Sequence, residues 1–338
     1  MTVDEIDRMC RHLGKDLMLI ALTGGEPFLR EDLVDIVASY YRHTRAPILQ
    51  ITTSGMFRHR VLDHLEAILK LDHRRRVVVN CSIDGLAHRH DEIRGVPGLF
   101  EQATHLCHDL QRLQQSHPAL TPSVCITMSK YNQDHMIDLI DYLVRQVGVR
   151  CIALTLARGQ TYIPEASDVD PARYEKVASY LQKLLCRQDI PGYAGWVTGC
   201  LVNAQNIIAR KRIVRTVREG CYVGRCYAGR LAGVIRSDGE VFACEQVDQS
   251  LGNVCRESFE AIWRSPCAQS LRRRLRRCYC THECFMLVNI LYNPLYTPLV
   301  AREAATIAAR RLLKRASGCL RTISMRRSSG GSMRGTSE

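Results

Sequence analysis

Apolar positions in the first 160 residues follow two spacings that alternate along the chain. Helical spacing, with apolar side chains three or four positions apart, begins around Ile6 and recurs in Arg30–Tyr41, Val61–Leu71, Leu99–Leu113 and Met136–Val147. Short continuous apolar runs lie between these segments, at Leu17–Leu22, Ile48–Thr53, Val77–Ile83, Ser123–Met128 and Cys151–Leu156. Because parallel sheets are buried on both faces, their strands are apolar throughout. The pattern therefore predicts repeated β-α units around a parallel sheet.

The pattern changes after residue 160 and divides the chain into four predicted segments. Residues 1–160 form the β-α region, and residues 161–220 form a helical insert or linker with helices at Tyr174–Leu185 and Ile207–Val217. Residues 221–298 hold short strands, turns and clustered cysteines. Residues 299–338 contain one basic helix, Ala301–Ala316, and a tail rich in Ser, Gly and Arg that we expect to be disordered.

Polar and glycine-rich residues follow the predicted strands, at the end where parallel α/β barrels place their sites. Thr23-Gly24-Gly25-Glu26-Pro27 comes directly after the first strand. Two glycines allow the backbone to approach a ligand closely, and proline stiffens the exit from the turn. A carboxylate fixed there suits a ligand ammonium group, although a plain glycine turn with a surface glutamate has the same pattern. By position alone, Arg158, Gln160 and Tyr162 are candidate substrate contacts.

The cysteines after residue 220 are spaced as metal ligands. Twelve residues separate Cys226 from Gly239 and four separate Gly239 from Cys244, so a hairpin turning at Ser237-Asp238-Gly239 brings the two cysteines together. Cys278-Tyr-Cys280-Thr-His-Glu-Cys284 follows. Four thiolates can hold an iron–sulfur cluster or a tetrahedral zinc ion. His282 is interpreted as a solvated turn residue, whereas Cys81, Cys107, Cys125 and Cys151 lie in apolar stretches and are expected in the core.

Composition and charge narrow the class of protein. The 338 residues are 46% apolar and include 16 cysteines, which in a chain with no signal peptide indicates metal or redox chemistry. No run of 18 apolar residues is present, so we expect a cytoplasmic protein with no membrane partner. The net charge is +13, and five arginines lie between Leu271 and Cys278. These arginines could compensate the negative charge of a cluster, contact an acidic substrate or form a solvated helix face. No nucleic-acid motif accompanies them, so we do not expect nucleic acid as a partner.

Four motifs in order resemble the radical S-adenosylmethionine (radical SAM) enzymes. Leu22-Thr-Gly-Gly-Glu-Pro-Phe-Leu-Arg30 is similar to the family's second-strand signature, whose glutamate accepts the amino group of the cofactor's methionine. Ile51-Thr-Thr-Ser-Gly55 resembles the third-strand end, with Ser54 where the family commonly has asparagine, and Ser82-Ile-Asp-Gly85 resembles the motif beside the cofactor ribose. His90-Asp-Glu-Ile-Arg-Gly95, followed by Pro97-Gly-Leu-Phe100, matches the family segment that comes next. The resemblance implies S-adenosyl-L-methionine as cofactor. The residues it implies as contacts are Gly24, Gly25, Glu26, Pro27, Thr53, Ser54, Ser82, Asp84, Arg94 (facing the cofactor carboxylate) and Leu156.

The cysteine-rich segment resembles the auxiliary-cluster domain called SPASM, or its shorter version, Twitch. The implied fold is α/β: a partial (β/α)6 TIM-like barrel that lacks its first strand, followed by a small α+β SPASM/Twitch extension. The segment is abbreviated relative to SPASM, which implies one auxiliary 4Fe–4S cluster. We favour Cys226, Cys244, Cys280 and Cys284 as ligands, with Cys278 as the main rival and Cys221 as a weaker one. The resemblance favours iron over zinc.

The sequence departs from the family in one motif. The family holds its catalytic 4Fe–4S cluster with a Cys-x3-Cys-x2-Cys loop, whereas Cys10 is the single cysteine before Thr23 here. Two explanations remain open. Either the true start lies further upstream and the working enzyme carries a second, catalytic cluster, or the chain has lost the radical chemistry.

The resemblance implies an activity and partners. Family members cleave S-adenosylmethionine reductively to a 5′-deoxyadenosyl radical, which abstracts hydrogen from a substrate at the open barrel end. Relatives with this extension often modify peptides or proteins, so we expect a peptide or protein substrate and an electron donor such as flavodoxin or ferredoxin. The alternatives are a small-molecule enzyme of cofactor biosynthesis and a catalytically inactive iron–sulfur binding partner protein.

Overall fold

A computed structural model describes residues 1–159, 161–193, 197–220 and 224–329. Gln160 and Cys221, named above as candidates, lie outside these ranges. The first region contains, in chain order, α1 (Val3–His12), β1 (Leu19–Leu22), α2 (Leu33–His43), β2 (Ile48–Thr53), α3 (Arg58–Leu71), β3 (Arg76–Ser82), α4 (His88–Arg94), α5 (Leu99–Ser116), β4 (Leu120–Met128), α6 (Met136–Arg145) and β5 (Ile152–Leu156). Short 3-10 turns at Pro27–Leu29 and Pro164–Ser167 complete it.

The five strands form one parallel sheet in sequential order, β1-β2-β3-β4-β5. Register pairs such as Ile51 with Val79 and Val124 with Ile152 align the strand ends, so the loops after each strand meet along one edge. The sheet curls into a half-barrel, which confirms the predicted partial TIM-like barrel. Its helix-facing positions are apolar and buried because α2, α3, α5 and α6 cover that face.

The remaining elements comprise two long helices, a small sheet and a helical C-terminal part. They are α7 (Pro171–Arg187), α8 (Val197–Glu219), β6 (Val234–Ile235), β7 (Glu240–Phe242), β8 (Ser250–Asn253), α9 (Phe259–Arg264), α10 (Pro266–Arg274), α11 (Glu283–Leu291) and α12 (Thr297–Ser329), with 3-10 turns at Leu275–Arg277 and Pro294–Tyr296. Strands β6 and β7 pair antiparallel, which confirms the predicted hairpin.

Two of the three hydrophobic clusters in the described ranges organise these elements, and the third joins α1 to α2. The larger one lies between the sheet and its helices and also takes in α7, α8 and part of α12, through residues such as Tyr174, Ile213 and Ile307. The smaller one is built by Val241, Ile262, Leu271 and Phe285 and includes Cys226 and Cys244. The helices of residues 161–220 therefore pack on the sheet itself.

Several details differ from the sequence expectations. Helix α4 was not predicted; it is two turns long and ends at Gly95, whose φ of +66° stops it. Helix α12 continues to Ser329 and so extends past the predicted helix end at Ala316, while the disorder of the tail stays a prediction. Cys81, Cys107 and Cys151 are buried as predicted, whereas Cys125 is partly exposed.

Across the described ranges, no single helix has the length and apolarity to cross a membrane. The consecutive helices Glu283–Leu291 and Pro294–Lys314 meet that criterion together, by length and composition, but an 87° bend separates them.

Candidate functional site

The Glu26 carboxylate is fixed at the ends of β1 and β2. Its Oε2 accepts hydrogen bonds from Thr53 Oγ1 at 3.0 Å, from the Ser54 backbone N–H at 2.8 Å and from Ser54 Oγ at 2.7 Å. Its Oε1 accepts the N–H of Phe28 at 3.4 Å, because Glu26 caps the 3-10 turn that Pro27 begins. Three of the residues named from the motifs therefore form one preorganised anionic group.

Gly24 and Gly25 border open space beside this carboxylate. Gly24 has a φ of +131°, which side-chain-bearing residues rarely adopt. A Cβ atom built at either glycine would meet no protein atom within 4 Å. The loop therefore leaves room for a ligand to lie directly against its backbone, next to a negative charge suited to an ammonium group.

Asp84 is the centre of a second network, after β3. Its Oδ2 accepts Arg94 Nε at 2.7 Å, and its Oδ1 accepts the N–H of Thr127 at 2.7 Å. The Asp84 N–H donates to His90 Nδ1 at 3.0 Å, and burial lowers the pKa of His90, consistent with a neutral ring that accepts. Asn132 donates from Nδ2 to the Asp84 carbonyl at 2.8 Å. Arg94 is thus held by Asp84 at the same edge.

Neither His90 nor Asn132 was predicted from the sequence as a site residue. Both lie in polar segments directly after strands, at His88–Arg94 and Ser129–Asn132, which was the available signal. His90 and Asn132 hold the Asp84 loop through their hydrogen bonds to its backbone.

Ser82 and Leu156, two other predicted cofactor contacts, lie outside the Glu26 and Asp84 networks. Ser82 is buried at the end of β3, two residues before Asp84. The Leu156 side chain lies in the main core, its N–H donates to Glu283 Oε1 at 2.7 Å, and its carbonyl accepts Arg158 Nη1 at 3.1 Å. The proposed cofactor contact of Leu156 stays a prediction.

Four cysteines of the C-terminal region lie near one another. Cys226, Cys278 and Cys280 line one cavity of about 20 Å³. Burial raises the pKa of Cys244 to about 11, and the neighbouring thiols of Cys226 and Cys278 add to the shift. Burial likewise raises the pKa of Cys280 to about 12, with contributions from Cys244, Cys278 and Cys226. Within the described ranges, no group of three His, Cys, Asp or Glu side chains converges tightly enough to hold one metal ion.

Three of these sulfurs accept backbone hydrogen bonds in the same way. Cys226 Sγ accepts the N–H of Ala228 at 3.4 Å, Cys244 Sγ that of Gln246 at 3.5 Å, and Cys280 Sγ that of His282 at 3.2 Å. Each donor is two residues after its cysteine. N–H donors aimed at sulfur stabilise thiolates and tune iron–sulfur clusters, so the donor set fits an iron–sulfur cluster.

Cys284 has different surroundings from those four cysteines. It begins the first turn of α11 beside Glu283, and the charged groups that act on its pKa are Glu283, Arg158 and Glu245. It also lies near Cys125 of β4, whose pKa burial raises to about 12. The structure therefore groups Cys278 with Cys226, Cys244 and Cys280, and places Cys284 towards the sheet.

A polar chain links the end of β5 to the cysteine-bearing loops. Arg158 Nη1 donates to Glu283 Oε2 at 2.6 Å, and Arg158 Nη2 lies 3.1 Å from His282 Nδ1. His282 Nε2 lies 2.8 Å from Oε2 of Glu245, the residue after Cys244. His282 is 1% exposed, so its interpretation as a solvated turn residue is wrong. Burial raises the pKa of Glu283 to about 7 despite Arg158. Tyr162, by contrast, is fully exposed.

Comparisons with known proteins agree with this division of the chain. The Radical SAM superfamily model matches residues 1–143, and the model of the SPASM iron–sulfur cluster-binding domain matches residues 226–285. The chain is therefore a radical SAM protein with a SPASM extension. Its cofactors are S-adenosylmethionine, which the superfamily uses, and an auxiliary iron–sulfur cluster, which SPASM domains bind. No curated protein matches the sequence.

Solved structures show the same fold at low identity. Native anSMEcpe with bound AdoMet is 14% identical, with a TM-score of 0.55 over 94% of this chain and 91% of that one. Native anSMEcpe with bound AdoMet and Kp18Cys peptide is 15% identical, with a TM-score of 0.55 and the same coverage. The form with Cp18Cys peptide is 14% identical, with a TM-score of 0.53 over 94% and 92% of the two chains.

Proposed function

We propose that this chain is a maturase-type radical SAM enzyme that acts on a peptide or protein substrate. The observation that carries the proposal is the pairing of a ligand-facing carboxylate, Glu26, with a separate set of hydrogen-bonded thiols in the SPASM region. Structures similar in fold include anSMEcpe with bound peptides, which supports a peptide as the substrate class.

The residues have separate roles in this proposal. Glu26, fixed by Thr53 and Ser54, binds the cofactor's ammonium group, and the Gly24–Gly25 backbone lies against the cofactor. Asp84 and Arg94 contact its ribose and carboxylate. When bound, S-adenosylmethionine would supply hydrogen-abstraction chemistry at the substrate once an external one-electron donor cleaves its sulfonium S–C bond. No residue of this chain is assigned to the catalytic cluster, because the sequence contains no Cys-x3-Cys-x2-Cys loop.

Cys226, Cys244, Cys278 and Cys280 hold the auxiliary 4Fe–4S cluster in this proposal. This ligand set replaces Cys284 with Cys278, because Cys278 lies beside Cys226 and lines the same cavity as Cys226 and Cys280. The backbone N–H groups of Ala228, Gln246 and His282 orient the three hydrogen-bonded thiolates and lower the cost of their negative charge.

Cofactor binding tests the proposal directly. Glu26→Gln should weaken S-adenosylmethionine binding about tenfold or more in calorimetric titration, because a charge-assisted contact becomes a neutral one. Glu31→Gln is the matched control, since the Glu31 side chain is 89% exposed on the same loop. Equal affinities for the wild type and Glu26→Gln would contradict the assignment.

The inactive-partner alternative rests on the missing cysteine loop in the sequence. It predicts that the chain binds one cluster and forms no 5′-deoxyadenosine under anaerobic reducing conditions. Sustained 5′-deoxyadenosine formation by this chain would exclude that alternative.

A further inference from the structure

The SPASM region carries a set of arginines without acidic partners. Among the described residues, no carboxylate lies within ion-pairing distance of Arg225, Arg230, Arg272, Arg273, Arg274 or Arg276, although ion pairs are common elsewhere in the chain. The side chains of Arg230 and Arg273 are exposed and make no hydrogen bond to the described residues. Unpaired guanidinium groups of one sign create a strongly positive local potential.

Three of these arginines line a surface pocket of about 420 Å³, which we call the basic pocket. Its walls include Tyr227, Arg230, Trp263, Gln269, Arg272 and Arg273. The Arg272 guanidinium lies 5.0 Å from the centre of the Trp263 ring and donates to the carbonyls of Gly229 and Trp263. Arg272 therefore helps to hold the wall of the pocket together. The guanidinium groups of Arg230 and Arg273 are exposed to solvent and bind no described residue.

One wall of the basic pocket directly follows a proposed cluster ligand. Tyr227 is the residue after Cys226, Ala228 donates its N–H to Cys226 Sγ, and Gly229 accepts from Arg272. Ala228, Leu271 and Cys226 share the small core, so one layer of residues separates the pocket from the thiols. A positive surface one layer from the proposed cluster suits electron exchange with a partner protein of opposite charge.

We infer that the basic pocket docks an acidic one-electron carrier protein that reduces the auxiliary cluster. The carrier loses one electron and the cluster gains one, with no bond made or broken. Such encounters use small, weak interfaces steered by opposite charge, which matches a pocket with exposed arginines and a central aromatic ring. This inference rests on the proposed function, because it needs a cluster at Cys226.

Stopped-flow reduction of the reconstituted chain by photoreduced, acidic plant-type [2Fe–2S] ferredoxin tests the inference. We expect the double variant Arg230→Glu/Arg273→Glu to lower the second-order rate constant at low salt about tenfold or more and to flatten its salt dependence. The control Arg264→Glu, from an exposed pair with Glu260, should stay within about twofold of wild type. Illuminated deazaflavin, a small reductant, should reduce all three proteins equally.

Each other outcome contradicts a defined statement. If deazaflavin reduces every protein and ferredoxin reduces the double variant at the wild-type rate, the docking inference is wrong while the cluster assignment stands. A further outcome is that polyglutamate or RNA quenches Trp263 fluorescence in the wild type and not in the double variant, while ferredoxin reduces both proteins at the same rate. In that case the pocket binds another kind of partner and the inference is wrong. If the wild type takes up no cluster, the proposed function fails and the inference fails with it.

Discussion

The strand ends of the half-barrel and the cysteine-bearing loops differ in how they satisfy their charged groups. At the strand ends, Glu26 accepts four hydrogen bonds, and Asp84 pairs with Arg94. In the SPASM region, burial raises the pKa of Cys244, Cys278 and Cys280, and the three arginines that line the basic pocket have no carboxylate partner among the described residues. The site at the strand ends is therefore organised before its ligand binds. The cysteine site has its backbone N–H donors in place, but its thiols need a bound cluster to become thiolates.

This difference follows from the size of the hydrophobic core on which each region packs. The strand ends rest on a large core with a parallel sheet behind them, so their loops hold polar groups at fixed distances. The cysteine loops rest on a much smaller core that includes two of the proposed ligands. In small metal-binding regions, metal binding contributes to folding free energy, so the SPASM region should depend on its cluster for stability.

Replacing cluster ligands gives the largest expected effect. Cys226→Ala and Cys278→Ala should each lower the iron and sulfide content after anaerobic reconstitution by about half or more, because a cluster held by three thiolates loses iron more readily than one held by four. Cys284→Ala should retain the cluster, since Cys284 lies beside Glu283 and Arg158. Metal analysis with visible absorbance measures all three variants. A cluster lost in Cys284→Ala and kept in Cys278→Ala would restore the ligand set favoured by the sequence.

Removing Arg158 should break the link between the two regions. Arg158→Met leaves the Glu283 carboxylate in a site where its side chain is 11% exposed, so we expect a loss of about 3 kcal/mol in the free energy of unfolding. Arg264→Met, which removes an exposed ion pair, should cost less than about 1 kcal/mol. Urea denaturation measures the free energy of unfolding of both variants. Equal losses would show that the hydrogen bonds of Arg158 to Glu283 and His282 do not stabilise the fold.

Gly25→Ala tests whether the open space beside Gly25 is occupied by the cofactor. The added Cβ meets no protein atom within 4 Å, and Gly25 does not have a positive φ, so stability should be nearly unchanged. Affinity for S-adenosylmethionine should fall about tenfold, because overpacking against a ligand costs about 1–3 kcal/mol. Thermal unfolding and calorimetric titration measure the two effects. Unchanged affinity would place the cofactor away from this loop.

The smallest effect is expected at Ser54. Ser54→Ala removes the 2.7 Å hydroxyl bond to Glu26 but keeps the backbone N–H bond, so cofactor binding should weaken by about 1 kcal/mol. Ser54→Asn introduces the side chain that the family commonly has and should restore binding, since an amide can also donate to Glu26. Titration of both variants shows whether Ser54 supports Glu26 through its hydroxyl; an Ala variant that binds like wild type would argue against this.

The barrel could be predicted closely from the sequence because its strands are short continuous apolar runs bounded by glycine-rich polar turns. Strand β2 has the predicted bounds, and β3 and β5 are shifted by one residue at most at either end. The hairpin that joins Cys226 to Cys244 was also predictable, since Ser237-Asp238-Gly239 is a local turn signal and Gly239 has a φ of +89°.

Other features depend on contacts that no local pattern carries. His282 looked like a turn residue, yet Arg158 and Glu245, both distant in sequence, hold its ring in the interior. Cys280 and Cys284 are four residues apart, but the start of α11 directs Cys284 towards the sheet, while Cys280 stays with Cys226 and Cys278. The spacing of cysteines could not distinguish these two surroundings.

The sequence by itself determined the sheet, the glycine loop with its glutamate, and the resemblance that named both cofactors. Turn residues and apolar periodicity act over a few positions, so these features are local. Only the tertiary structure decided which thiols share a cavity, which residue links the barrel to the SPASM region, and that three arginines with no carboxylate partner among the described residues line a pocket beside Trp263. Those features arise from side chains brought together from separate elements, where burial and charge depend on the whole fold.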